Sequence, residues 1–188
     1  MGPNEHQPWS EALGRASENW LDGPFRYNDE GELLVGDKPV VANPACRFGA
    51  QKGEKLSAVD DIERSSTNGA TFLNTPINLP SCAHVAHTCC LYYLKGDRRP
   101  LATAKADHAD ARGQLLVATK DELTAAISLR NPVDGLRYGF LPHTQLCGST
   151  AAVFHYVCLS RVIASVACRA LKTPREGYYD DFGMVLPE

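Results

Sequence analysis

The sequence predicts an α+β fold, and three observations carry that expectation. The stretches "ACRFGAQKGEKLSAVDDI" and "LTAAISLRNPVDGLRYGFLP" each have the pattern of strand, turn and strand. The run "STAAVFHYVCLSRVIASVACRAL", Ser149 to Leu171, has the length of a long helix and is apolar around most of its circumference. A further hairpin is written in "YYDDFGMVL". No internal repeat or low-complexity tract interrupts this order, which suits a single mixed domain.

From the N-terminus, residues 1 to 8 have the composition of a frayed tail. Trp9, Leu13, Ala16 and Trp20 then recur at helical spacing, with Ser10 available as a cap and "DGP" at Asp22 to Pro24 as the stop. The first hairpin bends at "KGE". Residues 68 to 80 are loop-like, and "SCAHVAHTCCLYYL" forms a buried helix. "LATAKAD" is a short strand ending at Asp107. The second hairpin turns through Asn131, Pro132, Asp134 and Gly135, residues whose turn chemistry is local. Ser149 or Thr150 caps the long helix, and "TPREG" is a loop before the last hairpin.

At 188 residues, with 44% hydrophobic and 22% charged, the chain can bury a real core and is expected to be globular. A net charge of -3 argues against a free-standing, strongly basic nucleic-acid binder, although patches such as "KGDRR" leave room for a local basic cleft. Seven cysteines, none in a C-x-x-C pair, and a start without an apolar signal segment point to an intracellular site, cytoplasmic or nuclear, with free and mostly buried thiols. No run approaches a membrane span, and Pro3 and His6 break a myristoylation pattern, so no membrane partner is expected.

Three carboxylates occupy comparable places: Asp107 at a strand end, and Asp180 with Asp181 at a hairpin tip. If those strands are neighbours, the three converge. Like charges so close repel unless one is protonated or a cation holds them together. Hard oxygen ligands select Mg²⁺ or Mn²⁺, and two such ions are a recurrent device for in-line phosphoryl transfer. A solvated turn is the plainer reading of an adjacent Asp pair, and Asp60 with Asp61 shows that the chain contains another.

Order and spacing add to this. "KADHADARGQLLV", "YGFLPHTQLCGSTAAVFHY" and "GYYDDFGMV" follow one another as the first, second and third catalytic motifs of reverse transcriptases do, and the chain resembles the palm of retroelement-encoded RNA-directed DNA polymerases. The resemblance runs from about Arg47, where "RFGAQKGEKLSAVDDI" is similar to the fingers hairpin. It implies a partial fingers and palm domain over 46–188, an antiparallel sheet packed on helices, with no room for a thumb after "YYDDFGMVLPE", and leaves residues 1–45, which carry no motif of the family, as an N-terminal helical extension.

By position, the resemblance makes Asp107, Asp180 and Asp181 the catalytic carboxylates and ligands of two Mg²⁺ or Mn²⁺ ions, with the His108 carbonyl as a backbone ligand. Tyr178 and Tyr179 would lie beside the primer end. Gln145, Gly148 and Ser149 match the second motif, which lies under the incoming nucleotide and template, and Phe154 would anchor its helix. The implied partners are an RNA or DNA template with primer, deoxynucleotides, and the remainder of the polymerase if it is encoded elsewhere.

The chain departs from the family at several places. Arg112 stands where a Tyr or Phe usually blocks a ribose 2′-hydroxyl, and Ser57 where an arginine reaches the triphosphate, leaving Lys52 or Lys55 as partial substitutes. Leu116, Leu146 and Ala151 replace a frequent proline, a glycine and a proline. These departures and the missing thumb imply a truncated or decayed copy with weak activity or none. The alternative is an inactive palm-fold remnant that still binds nucleic acid. An RNA-directed RNA polymerase relative fits less well, because Arg112 and Tyr179 occupy places where that class carries Asp and Gly.

Outside these motifs, Cys82, His84, His87, Cys89 and Cys90 are soft-metal donors, but one helix scatters them around its axis. His143 could touch template phosphate. Arg161, Arg169, Lys172 and Arg175 form either a phosphate-tracking stripe or a solvated face.

Overall fold

The computed structural model describes residues 6–52, 55–73, 76–77, 79, 81–108, 115–146, 148–171, 175–178 and 181–187. In chain order these form α1 (His6–Ser17), β1 (Leu21–Arg26), β2 (Leu33–Val35), β3 (Lys38–Val40), β4 (Ala45–Lys52), β5 (Lys55–Asp61), α2 (Thr67–Ala70), α3 (Cys82–Leu94) and β6 (Leu101–Asp107). A 3₁₀ segment (Thr119–Ala125), β7 (Ile127–Arg130), β8 (Arg137–Pro142), α4 (Thr150–Leu171), β9 (Arg175–Tyr178) and β10 (Asp181–Pro187) complete the chain. The fold is mixed α+β. It divides into two compact units, residues 1–72 with 112–152, and 73–111 with 153–188.

In the first unit a five-stranded sheet runs β1, β8, β7, β4, β5. Both sequence-predicted hairpins are present: β4 pairs with β5, and β7 with β8. The β7–β8 turn closes as its residue types dictate, with the Leu136 N–H donating to Asp134 Oδ1 and the Val133 N–H to Asn131 Oδ1. The sheet is not wholly antiparallel as expected, because β4 and β7 meet in parallel through Ala45↔Ile127 and Cys46↔Ser128. The long excursion between those strands removes the hairpin constraint that forces antiparallel pairing.

α1 covers one face of this sheet. Ala12, Leu21, Ala45, Ile127 and Phe140 form its core, and the Trp9 ring lies 5.4 Å from that of Tyr138 and 5.6 Å from that of Phe140. The helix ends at Ser17, so Trp20 lies beyond it, under the Arg15 guanidinium. Ser10 is not its cap; its hydroxyl donates back to the His6 and Gln7 carbonyls inside the first turns. "DGP" is not a stop either. It lies within β1, where the register against β8 shifts between Asp22 and Phe25. On the opposite face Leu33, Ala126 and Leu141 form a second core, and Gly139 is needed there because a Cβ would collide with the buried Leu33 side chain.

In the second unit β6, β10 and β9 form a three-stranded antiparallel sheet with β10 in the middle, and α3 packs on β10. "TPREG" is therefore partly strand. Val185 and Leu186 pair with Thr103 and Ala102 of β6 on one side, while the β9 ladder ends at Met184.

α3 is helical as expected but not buried: most of its described residues are exposed, with Thr88 the inward exception. α4 buries a stripe through Ala152, Tyr156, Val157 and Ser160 and exposes Val162 and Val166. It is the one helix among the described residues long and apolar enough to cross a membrane, a criterion that core helices of soluble proteins also meet. Five cysteines form no disulfide among the described residues, and none of the five is buried: Cys90 and Cys158 are exposed, and Cys46, Cys89 and Cys168 half-buried.

Candidate functional site

β6 and β10 carry the candidate site in the second unit. Their antiparallel register sets Asp181 directly opposite Asp107, and the ladder continues without a break to Pro187↔Leu101. Residues opposed in this way share a face of the sheet, with Cβ atoms about 5 Å apart. On the other side of β10, Tyr178 pairs with Asp181. Tyr179 and Asp180 lie outside the described residues.

Both carboxylates reach solvent. Asp107 is exposed, and the Asp181 side chain is 42% exposed. Lys105, two residues before Asp107 and so on the same face, places Nζ 2.8 Å from Asp181 Oδ1. This lysine belongs to the first quoted motif, and strand alternation was the signal that could have singled it out.

His108 leaves the end of β6 half-buried. Its Nδ1 lies 2.5 Å from the Tyr156 hydroxyl, and Tyr156 is almost fully buried in α4. An inward-facing tyrosine of the long helix thus fixes the residue that follows the first aspartate. Phe154, on the same helix, is half-buried.

The other sequence-predicted positions belong to the first unit. Lys52 faces Lys55 across the end of the β4–β5 ladder, and Ser57 faces Ala50; the structure describes the backbone of these three. Arg112 lies outside the described residues. The Gln145 N–H donates to the Leu115 carbonyl at 2.8 Å, and the Val117 N–H to the His143 carbonyl, so the end of the first motif lies along the second. Gly148 has φ +95°, a conformation that suits glycine, and the Ser149 N–H donates to the Leu146 carbonyl.

α4 is capped from a distance. Asn68 Oδ1 accepts from the Thr150 N–H at 2.9 Å, while its Nδ2 donates to the Gly148 carbonyl at 3.1 Å. The capping acceptor is thus Asn68 and not the Ser149 or Thr150 hydroxyl, and the sequence carries no signal for it.

Several other expectations receive a definite place. Asp60, of the first Asp pair, forms a two-pronged bond with Arg47, Nε to Oδ1 at 2.6 Å and Nη2 to Oδ2 at 2.9 Å, with side chains only 8% and 3% exposed. Asp61 Oδ1 accepts the Arg64 N–H. That pair is structural. His143 does not present a free ring to phosphate: Nε2 lies 3.2 Å from Asp22 and Nδ1 3.4 Å from Glu122. Burial pulls its pKa down, but the bonds to Glu122 and Asp22 outweigh that and leave it raised.

His84 Nδ1 accepts the Ser81 N–H at the start of α3. Among the described residues no three His, Cys, Asp or Glu side chains gather as a metal cluster. Arg161 and Arg169 are exposed on α4, Arg175 is in β9, and Lys172 lies outside the described residues.

No protein-family model and no curated protein matches this chain.

Proposed function

We propose that the chain is a palm and fingers relative of reverse transcriptases. In this reading Asp107, Asp180 and Asp181 support template-directed transfer of a deoxynucleotide to a primer 3′-hydroxyl, on an RNA or DNA template, within the cytoplasm or nucleus. The observation that carries it is the register Asp107↔Asp181. Like charges directly opposed in a ladder destabilise it, by up to about 1 kcal/mol. A fold that keeps such a pair gains from a cation between them.

The donor set fits Mg²⁺ or Mn²⁺, because carboxylate oxygens at a solvent-accessible strand end are hard ligands. Bound there, such ions supply neutralisation of the leaving pyrophosphate and a lower pKa for the attacking hydroxyl. The chain's own residues have separate tasks. The β6–β10 ladder fixes the separation of the two carboxylates, Tyr156 holds His108 and with it the exit of β6, and Lys105 neutralises Asp181.

Primer extension with Mg²⁺ or Mn²⁺ tests the reading, with Asp181→Asn and Asp180→Ala as controls. Extension that either variant abolishes supports it. Extension that survives both would sink it. A second reading, a palm that binds primer and template without chemistry, is favoured by Lys105, whose ammonium already occupies an Asp181 oxygen. Binding of primer and template by a folded protein that extends nothing would support that second reading.

A further inference from the structure

The parallel ladder between β4 and β7 lasts two residue pairs, after which the strands part. The opening is a cleft of about 500 Å³ within the first unit, lined by Cys46, Arg47, Phe48, Ser128, Arg130 and Arg137 among others. That volume is within the range of small-molecule sites, about 300–1,000 Å³.

Strand alternation sorts its lining. Cys46 pairs with Ser128, and Arg130 with Arg137, so these four share one face of the sheet with Phe48, two residues beyond Cys46. Arg47 points to the other face, where Asp60 neutralises it. Arg130 and Arg137 remain directly opposite each other and exposed, and neither forms an ion pair among the described residues. Arg130 Nε donates to the Gly135 carbonyl at 2.8 Å, which fixes that guanidinium and leaves its terminal nitrogens for a ligand.

Among the described residues no acid lines the cleft. The nearest in sequence, Asp134, accepts the Tyr138 hydroxyl, and Tyr138 faces α1 on the other side. Two opposed arginines repel each other in an otherwise regular ladder. An anion bridging them removes that repulsion and uses the forked geometry that suits a phosphate. Phe48 lines the same cleft and is 47% exposed.

We propose that this cleft binds a nucleotide unit, its phosphate held between Arg130 and Arg137 and its base against Phe48. Aromatic rings next to guanidinium groups are the usual device for sequence-tolerant binding of single strands. The unit comes either from a free nucleotide or from one residue of a single strand. The inference stands on this cleft alone and does not depend on the Asp107 and Asp181 pair.

The test is fluorescence anisotropy of a labelled twelve-nucleotide oligothymidylate on the full chain, in EDTA at low salt, with unlabelled dTMP and ATP as competitors. The double variant Arg130→Gln/Arg137→Gln should weaken binding at least tenfold and flatten its salt dependence. Phe48→Leu should weaken it about tenfold, in line with the worth of one stacked base. Circular dichroism and thermal melting check that the exposed substitutions leave the fold intact.

Competition by dTMP or ATP at concentrations near the oligonucleotide's own affinity assigns the site to free nucleotides. Binding of the oligonucleotide alone assigns it to a strand. No binding of either, or binding unchanged in the double variant, overturns the proposal; loss with the arginines but not with Phe48 overturns the base contact. The assay runs without divalent ions, whereas primer extension requires them. Failure here and failure of primer extension are thus separable.

Discussion

Lys105 Nζ lies 2.8 Å from Asp181 Oδ1, on the face of the sheet where Asp181 opposes Asp107. The lysine therefore competes with any cation for an Asp181 oxygen. Both partners are substantially exposed, 66% and 42%, so the ion pair itself is worth less than about 1 kcal/mol. Lys105→Met should tighten Mn²⁺ binding at the pair by up to about fivefold, the factor that energy allows, while Asp181→Asn should weaken it. Mn²⁺ titration followed by electron paramagnetic resonance measures both. Equal affinity in wild type and Lys105→Met would show that the lysine yields without cost.

Stability should depend on pH through His143. Its folded pKa is raised above 6.5 by Glu122 and Asp22, against the opposing effect of burial. The charged ring stabilises the fold fully below about pH 6.5, the ordinary value, and that contribution is lost as pH rises through the raised value. Urea unfolding of the wild type at pH 6 and pH 8.5 should show the loss. The double variant Asp22→Asn/Glu122→Gln should flatten the curve over that window. An unchanged slope in the variant would move the pH dependence to another group.

Asn68 is placed to hold the turn into α4 from both sides, accepting the Thr150 N–H and donating to the Gly148 carbonyl. Asn68→Ala removes both bonds and should cost about 1–2 kcal/mol, the range of a lost N-cap. Asn68→Asp keeps the acceptor at the helix start, where the helix dipole also favours a negative charge, and should recover most of the loss. Chemical denaturation of the two variants decides it: equal losses would mean that the bond to Gly148, not the cap, carries the energy.

The local parts of the fold were legible. "NPVDG" names its own turn, and "KGE" marks the bend between β4 and β5, although counting outward from its centre opposes Arg47 to Val59, one residue off the Arg47↔Asp60 register of the structure. Alternation likewise sets Lys105 on the face of Asp107. The apolar run ending at Asp107 has the pattern of a strand, and that strand lies beside β10. What stayed hidden is non-local. "DGP" signals a stop in any window of sequence, yet here it is a bulge made tolerable because β1 has β8 to pair with. The parallel meeting of β4 and β7, and the cap that Asn68 provides across 82 residues, leave no periodicity to detect. Exposure of α3 was missed because its apolar composition suits a buried helix, whatever actually covers it.

Arg47 and Asp60 supply the sharpest test of the first unit. Their side chains are 8% and 3% exposed and meet in two parallel bonds across the β4–β5 ladder. Removing one partner strands the other charge in the interior, which costs about 3–5 kcal/mol, more than the pair contributes over an apolar replacement. Asp60→Ala should therefore lower the melting temperature steeply. Arg47→Met/Asp60→Leu should recover most of that loss, because neither charge is then left without its counterpart. A thermal melt of the single and double variants separates the two cases. If the double variant is as unstable as Asp60→Ala, the bidentate bond itself holds β4 and β5 in register, and the wall of the neighbouring cleft would be expected to loosen with it.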